Sequence, residues 1–112
     1  MILVEEIYKM TAQFPVEERF GLTGQIRRAA VSVPSNIAEG HSRLGSREFL
    51  HRLSIAHGSL SEVETQIEIA KRLGYISRAQ QEGIEVIAAE TGRLIILTII
   101  ARECARRRLS KN

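Results

Sequence analysis

Apolar residues return along this chain at helical spacing, in four separate runs. Leu3, Ile7, Met10 and Phe14 step by four, three and four. That predicts a first helix over about residues 2–13, ended at Phe14-Pro15 because a residue before proline avoids the helical region. In the second run, Ile26, Val33, Ile37 and Leu44 fall within about 60° of Ala30 at 100° per residue. Arg28, Ser32, Ser35, Glu39 and Arg43 gather on the opposite side. This predicts helix 2 over about 17–44, with Gly21 and Gly24 leaving its start between Val16 and Leu22. Pro34 lies inside it, where a missing amide and a crowded carbonyl cost roughly 3 kcal/mol. Because the apolar stripe stays in phase from Ile26 to Leu44, a continuous helix kinked at Pro34 is preferred over a break at Val33. Asn36 is expected to satisfy backbone that the proline disturbs.

The third run is the most regular. Phe49, Leu53, Ala56, Leu60, Val63, Ile67 and Ala70 alternate steps of four and three, the seam of a bundle helix over about 46–73. Gly45 should close helix 2, Ser46 should cap helix 3 and Gly74 should end it in the left-handed conformation. The small residues Gly58 and Ser59 suggest a close helix crossing against Ala29 and Ala30. Glu48/Arg52 and Glu68/Arg72 are spaced for ion pairs on the exposed flank. Ser77 and Gln80 form a capping box that opens helix 4, over about 77–106. Its seam reads Ile84, Ile87, Thr91, Leu94, Thr98, Ala101 and Ala105, with a basic tail at Arg106, Arg107 and Arg108 expected to fray. The chain is therefore one all-α domain, an antiparallel up-and-down four-helix bundle.

Helix 4 goes further than a lone bundle needs. From Leu94 to Ala101 it is apolar on every side except at Thr98, and Val86, Ala89, Ile96 and Ile100 lie opposite the seam. A helix apolar all round is normally covered all round. The connections are too short to do this, so Val86, Ala89, Ile96 and Ile100 are expected to form a subunit interface. A homo-oligomeric ring is one closed solution.

Composition narrows the function classes. The chain has 112 residues, 44% of them apolar, and five aromatics. No apolar run has the length of a membrane span, and the start lacks the pattern of a signal peptide. The lone Cys104 offers no disulfide framework, which suits a reducing cytoplasm. Net charge is +3, and 13 of the 16 basic residues are arginine, the better phosphate ligand. No Gly-rich phosphate loop, cysteine pair or nucleophilic serine motif occurs. Glu48-Phe49-Leu50-His51 has the Glu-x-x-His spacing of di-iron bundles, but no second copy accompanies it and both residues flank the seam. No catalytic residue, metal site or cofactor is expected, and the chain reads as non-enzymatic. The nucleic-acid candidates are Arg27, Arg28, Arg43, Arg47 and Arg52. Without interleaved aromatics, their contacts should be to phosphate and steep in salt. The competing expectation is a scaffold or adaptor for a protein partner.

An ordered string of motifs adds a resemblance. Phe14-Pro15, Glu18, Gly21-Leu22, Gln25-Ile26-Arg27-Arg28-Ala29-Ala30, Ser32-Val33-Pro34, Asn36-Ile37-Ala38-Glu39-Gly40 and Arg43 carry its first part. Ala56, Gly58-Ser59-Leu60, Glu62 and Leu73-Gly74-Tyr75-Ile76 continue it. Over about residues 7–80 the chain resembles the bacterial four helix bundle protein family, also called the 23S rRNA intervening-sequence or S23 family. That family is similar to the accessory protein of diversity-generating retroelements. The resemblance implies a homopentamer, association with RNA or DNA, and a reverse transcriptase as a further partner. Members usually carry a longer segment before the first helix than the Met1-Ile2-Leu3 start seen here.

Overall fold

The computed structural model describes residues 1–42 and 46–111, with only the backbone of 42, 46, 110 and 111. It contains α1 (Ile2–Thr11), a single 3-10 turn at Val16–Glu18, α2 (Leu22–Ser42), α3 (Ser46–Arg72) and α4 (Arg78–Lys111). Each helix packs on its neighbours in sequence, and α1 closes against α4. Partner pairs run in opposite order on facing helices: Ser32 meets Ser59 and Asn36 meets Arg52. The same holds for α3 and α4, where Glu68 meets Gln81 at one end and Phe49 meets Arg102 at the other. The bundle is antiparallel and up-and-down. Its long axis of 56 Å matches α4, whose 34 residues span about 51 Å at 1.5 Å per residue.

The seams of α1 and α3 are buried as their periodicity requires. Leu3, Ile7, Met10 and Phe14 lie in the core with all seven seam residues of α3. Ile26, Ala29, Ala30 and Val33 join them from α2, with Ile37 half-buried. Burying side chains such as Ile67 and Ile26 is worth about 1.5–3 kcal/mol each.

The ends follow local chemistry. Phe14 closes α1 with a tight bond from its amide to the Thr11 carbonyl (3.0 Å), and Pro15 turns the chain out with φ −55° and ψ 145°. The start of α2 is carried by Glu18, whose Oε1 accepts the Leu22 amide at 3.2 Å. Its Oε2 accepts the Tyr75 hydroxyl at 2.7 Å, tying this corner to the α3–α4 turn. At that turn Gly74 has φ +80°. Gly74 and Tyr75 amides bond the Lys71 and Ala70 carbonyls at 3.0 and 2.9 Å, the paired closure of a left-handed helix stop. The capping box forms: Ser77 N–H donates to Gln80 Oε1 (2.8 Å) and Gln80 N–H to Ser77 Oγ (3.1 Å).

α2 runs unbroken through Pro34 and starts at Leu22, the last position of the expected range, because Val16–Glu18 forms its own 3-10 turn. Several other expectations are corrected. Gly58 is exposed with open space where a Cβ would stand, so of that pair only Ser59 faces α2, against Ser32. The close approaches involving glycine are elsewhere. A Cβ on Gly40 would lie 2.6 Å from Phe49 Cδ1, and one on Gly92 would lie 3.1 Å from Leu60 Cδ2. The α4 seam is also displaced: Ile84, Ala88 and Ile95 are buried, while Leu94 is 66% exposed and Ala101 and Ala105 face outward. The small residues Ala88 and Gly92 let α3 come near, and that approach sets which side of α4 faces inward. α4, expected to end near residue 106, continues to Lys111. Glu103 supports that end by pairing with Arg106 (2.7 Å) and Arg107 (3.2 Å). Expectations for Arg43, Leu44 and Gly45, and for the Ser46 side chain as a cap, lie outside the described residues.

Candidate functional site

The arginines of α2 and α3 share a helix pair but not a role. Arg27 points at α1. Its Nε donates to Thr11 Oγ1 at 2.8 Å and its guanidinium carbon lies 4.5 Å from the Tyr8 ring centroid. Such a side chain fastens α1 to α2. Arg52 is half-buried, pairing with Glu48 at 3.3 Å and donating to Asn36 Oδ1 at 3.3 Å. Arg28 and Arg47 are exposed and have no carboxylate partner among the described residues. They do not form one patch. Ser32 faces Ser59, which places Arg28 beside Glu62, about 15 residues or roughly 22 Å along α3 from Arg47.

Asn36 belongs to the structure. Its Nδ2 donates to the Ser32 carbonyl (2.8 Å) and to Ser32 Oγ (2.9 Å), while its Oδ1 accepts from Arg52. Ser32 Oγ lies 2.8 Å from Ser59 Oγ. The chain Ser59–Ser32–Asn36–Arg52–Glu48 thus joins α2 to α3 along a polar seam. The carbonyl Asn36 reaches is that of Ser32, not that of Ala30, whose usual donor Pro34 lacks. A bonded network of this kind holds two helices in one register, because a slip would strand its buried members.

Above Ala29 the same helix pair opens into a cleft of about 270 Å³, with Arg28 and Ser32 on one wall and Ser59, Glu62 and Gln66 on the other. At the far end of the bundle an apolar groove of about 350 Å³ lies between Met1, Ile37, Phe49, Leu53, Leu94 and Ile95. Phe49 packs there on His41, 4.7 Å away centroid to centroid, and on the Arg102 guanidinium, 4.7 Å from the ring centroid.

The outer face of α4 carries the four residues assigned to a subunit surface. Val86 is 60% exposed, Ile96 39% and Ile100 54%, with Ala89 also outward. Leu94 (66%) and Leu97 (56%) extend this surface. Leu94 was missed because it fitted a heptad count. The signal that could have found it is the pair Ala88 and Gly92, small residues at the spacing of a close helix contact. The Glu48 carboxylate is engaged by Arg52, and His51 is exposed. Among the described residues no three His, Cys, Asp or Glu side chains gather. No described helix is long and apolar enough to cross a membrane.

These features define an all-α bundle of four antiparallel helices with a polar seam between its second and third helices. Residues 1–97 match the model of the 23S rRNA-intervening sequence protein family, and the chain belongs to that family. It is similar to a crystal structure of a protein of unknown function from the S23 ribosomal protein family of Bacteroides thetaiotaomicron. The two are 28% identical with a TM-score of 0.76, over 88% of this chain and 89% of that one. No curated protein is detectably similar to the chain.

Proposed function

We propose that the protein is a non-enzymatic homo-oligomer, a ring of bundles such as a pentamer, that holds RNA or DNA through phosphate contacts from arginines repeated around it. The observation that carries the reading is the outer face of α4, where Leu94, Ile96, Leu97 and Ile100 are exposed within two turns of one another in the single subunit, with Val86 exposed beyond Glu90 and Arg93. A group of large apolar side chains exposed within two turns of one helix marks an interaction site. A second copy is the occupant always at hand, and cyclic symmetry covers such faces without open ends. Assembly also gives the arginines weight. Arg28 and Arg47 are too far apart for one compact patch, but repetition turns single phosphate contacts into avidity. The description of the family by 23S rRNA intervening sequences agrees with an RNA setting.

The test has two arms. Light scattering of the purified protein should give a multiple of 12.6 kDa, and Ile96→Asp with Ile100→Asp should reduce it to the subunit mass. Filter binding of a single-stranded RNA should succeed at about 50 mM salt and fall steeply by 200 mM. A monomer at working concentration, or no retention of RNA or DNA at the lower salt, sinks the reading. The 3-10 turn and the residues just after it favour a second reading as a protein adaptor, because Phe20 is 90% exposed and Val16 81%. That reading supports a protein partner such as a reverse transcriptase, and its sign is co-purification that survives nuclease treatment.

A further inference from the structure

We infer that the polar cleft between α2 and α3 is a recognition site for an unpaired guanine base. This rests on the nucleic-acid reading above and adds a base-specific contact to it. Three observations lead here. Arg28 and Glu62 line the same cleft and carry opposite charge, yet neither has an ion-pair or hydrogen-bond partner among the described residues. The Arg28 guanidinium lies back along α2 over Gly24, its Nη1 3.1 Å from where a Cβ there would stand, and it forms no ion pair with Glu62. Gln66 also lines the cleft, and its Oε1 is buried without a hydrogen-bond partner. A ligand donor that reached this oxygen would satisfy an acceptor whose isolation costs about 1–3 kcal/mol. Finally, Ser32 and Ser59 share one hydrogen bond on the floor. Two hydroxyls sharing one bond leave one proton to give.

The cleft therefore offers donors from α2 and acceptors from α3. Its volume of about 270 Å³ equals that of about nine waters at ~30 Å³ each, room for a purine. Guanine complements this arrangement. Its O6 and N7 accept the paired donors of an arginine. Its N1–H and N2 amino group form a double donor for one carboxylate. Adenine presents the N1 lone pair to that carboxylate, cytosine offers a single amino group, and uracil has no amino group. Ala29 gives the base an apolar edge of floor, and no aromatic ring lines the cleft. Without a stacking platform, the free nucleotide should bind in the millimolar range, and affinity should rise when a strand engages the arginines as well.

The test titrates full-length protein with GMP, IMP, AMP and ribose 5-phosphate, read by amide chemical shifts. Retention of oligo(U) on a filter is measured in parallel. GMP should move Ser32, Ser59 and Gln66 and saturate. IMP, lacking the 2-amino group, should bind several-fold more weakly, and AMP at least tenfold more weakly. Glu62→Gln should cost GMP about tenfold while leaving circular dichroism and oligomer mass unchanged. Arg28→Met is a second variant, and it should weaken GMP likewise. Equal responses to GMP, AMP and ribose 5-phosphate overturn the inference, as does undiminished GMP binding in both variants. Indiscriminate nucleotides with oligo(U) still retained would remove the guanine site and leave the phosphate reading standing. Selective GMP binding without oligo(U) retention would do the reverse.

Discussion

Replacing Gly40 with alanine should destabilise the bundle even though alanine is the better helix former. Gly40 lies in α2 with ordinary helical backbone, so alanine meets no conformational barrier. In an open helix the change would stabilise by about 0.8–1.0 kcal/mol. Here the new Cβ would stand 2.6 Å from Phe49 Cδ1 and 3.1 Å from Arg52 Cβ. The ring has little room to retreat, with both His41 and Arg102 packed on it, each 4.7 Å away. Overpacking of this kind costs about 1–3 kcal/mol, so the expected net loss is about 1 kcal/mol. Gly58 is the matched control, because a Cβ there meets nothing within 4 Å. Gly58→Ala should keep the full helical gain. For 112 residues, about 2.1 cal/mol/K per residue gives an unfolding entropy near 0.24 kcal/mol/K, so 1 kcal/mol moves Tm by about 4 °C. The two variants should thus part by about 8 °C in thermal melts at equal protein concentration, with Gly40→Ala below the parent and Gly58→Ala above it. A smaller ring substitute, Phe49→Leu, should remove the penalty of Gly40→Ala in a double-mutant cycle. If Gly40→Ala melts higher, as Gly58→Ala should, the α2–α3 contact is not as tight as described and the reasoning fails.

Other outcomes follow from the same structure. Arg27→Ala should lower stability by about 1–2 kcal/mol, through the lost Thr11 bond and the Tyr8 contact, with RNA retention little changed; Arg28→Ala should do the opposite in the same two assays. Ser77→Ala should cost about 1 kcal/mol through the α4 cap, measured by urea unfolding. The Tyr75 hydroxyl, and after it the Leu22 amide, hold the Glu18 carboxyl below its ordinary 4.5. A depressed carboxyl contributes stability above its unfolded pKa and loses it as pH falls through the folded one. Glu18→Gln should therefore flatten the loss of stability below pH 4.5, and an acid limb as steep as the parent's would refute this. The same bond raises the Tyr75 phenol above its ordinary 10.0, so its contribution is present below that value and fades as pH climbs past the folded pKa. Phenolate absorbance should show a late-titrating tyrosine that Glu18→Gln moves back toward the ordinary range, with burial still holding it somewhat above.

Much of the fold was legible because it rests on local rules. The seams of α1 and α3 are repeats that any helix buries together, and the Ser77–Gln80 box and Gly74 stop act within a few residues. The ion pairs Glu48–Arg52 and Glu68–Arg72 are likewise set by helical spacing. The α4 seam was not legible, because Leu94 and Ile95 are equally apolar and only the approach of Leu60 to Gly92 decides between them. The same limit applies to the candidate site. The sequence presents Arg27, Arg28, Arg47 and Arg52 as equivalent cations. Only packing turns Arg27 toward Tyr8 and binds Arg52 to Asn36, leaving Arg28 and Arg47 in water. Periodicity and capping need only neighbours along one helix, so the residues themselves determined four helices and most of their ends. Which side of a helix meets another, and which charge is already engaged, depends on atoms distant in the chain, and that the tertiary structure alone decided.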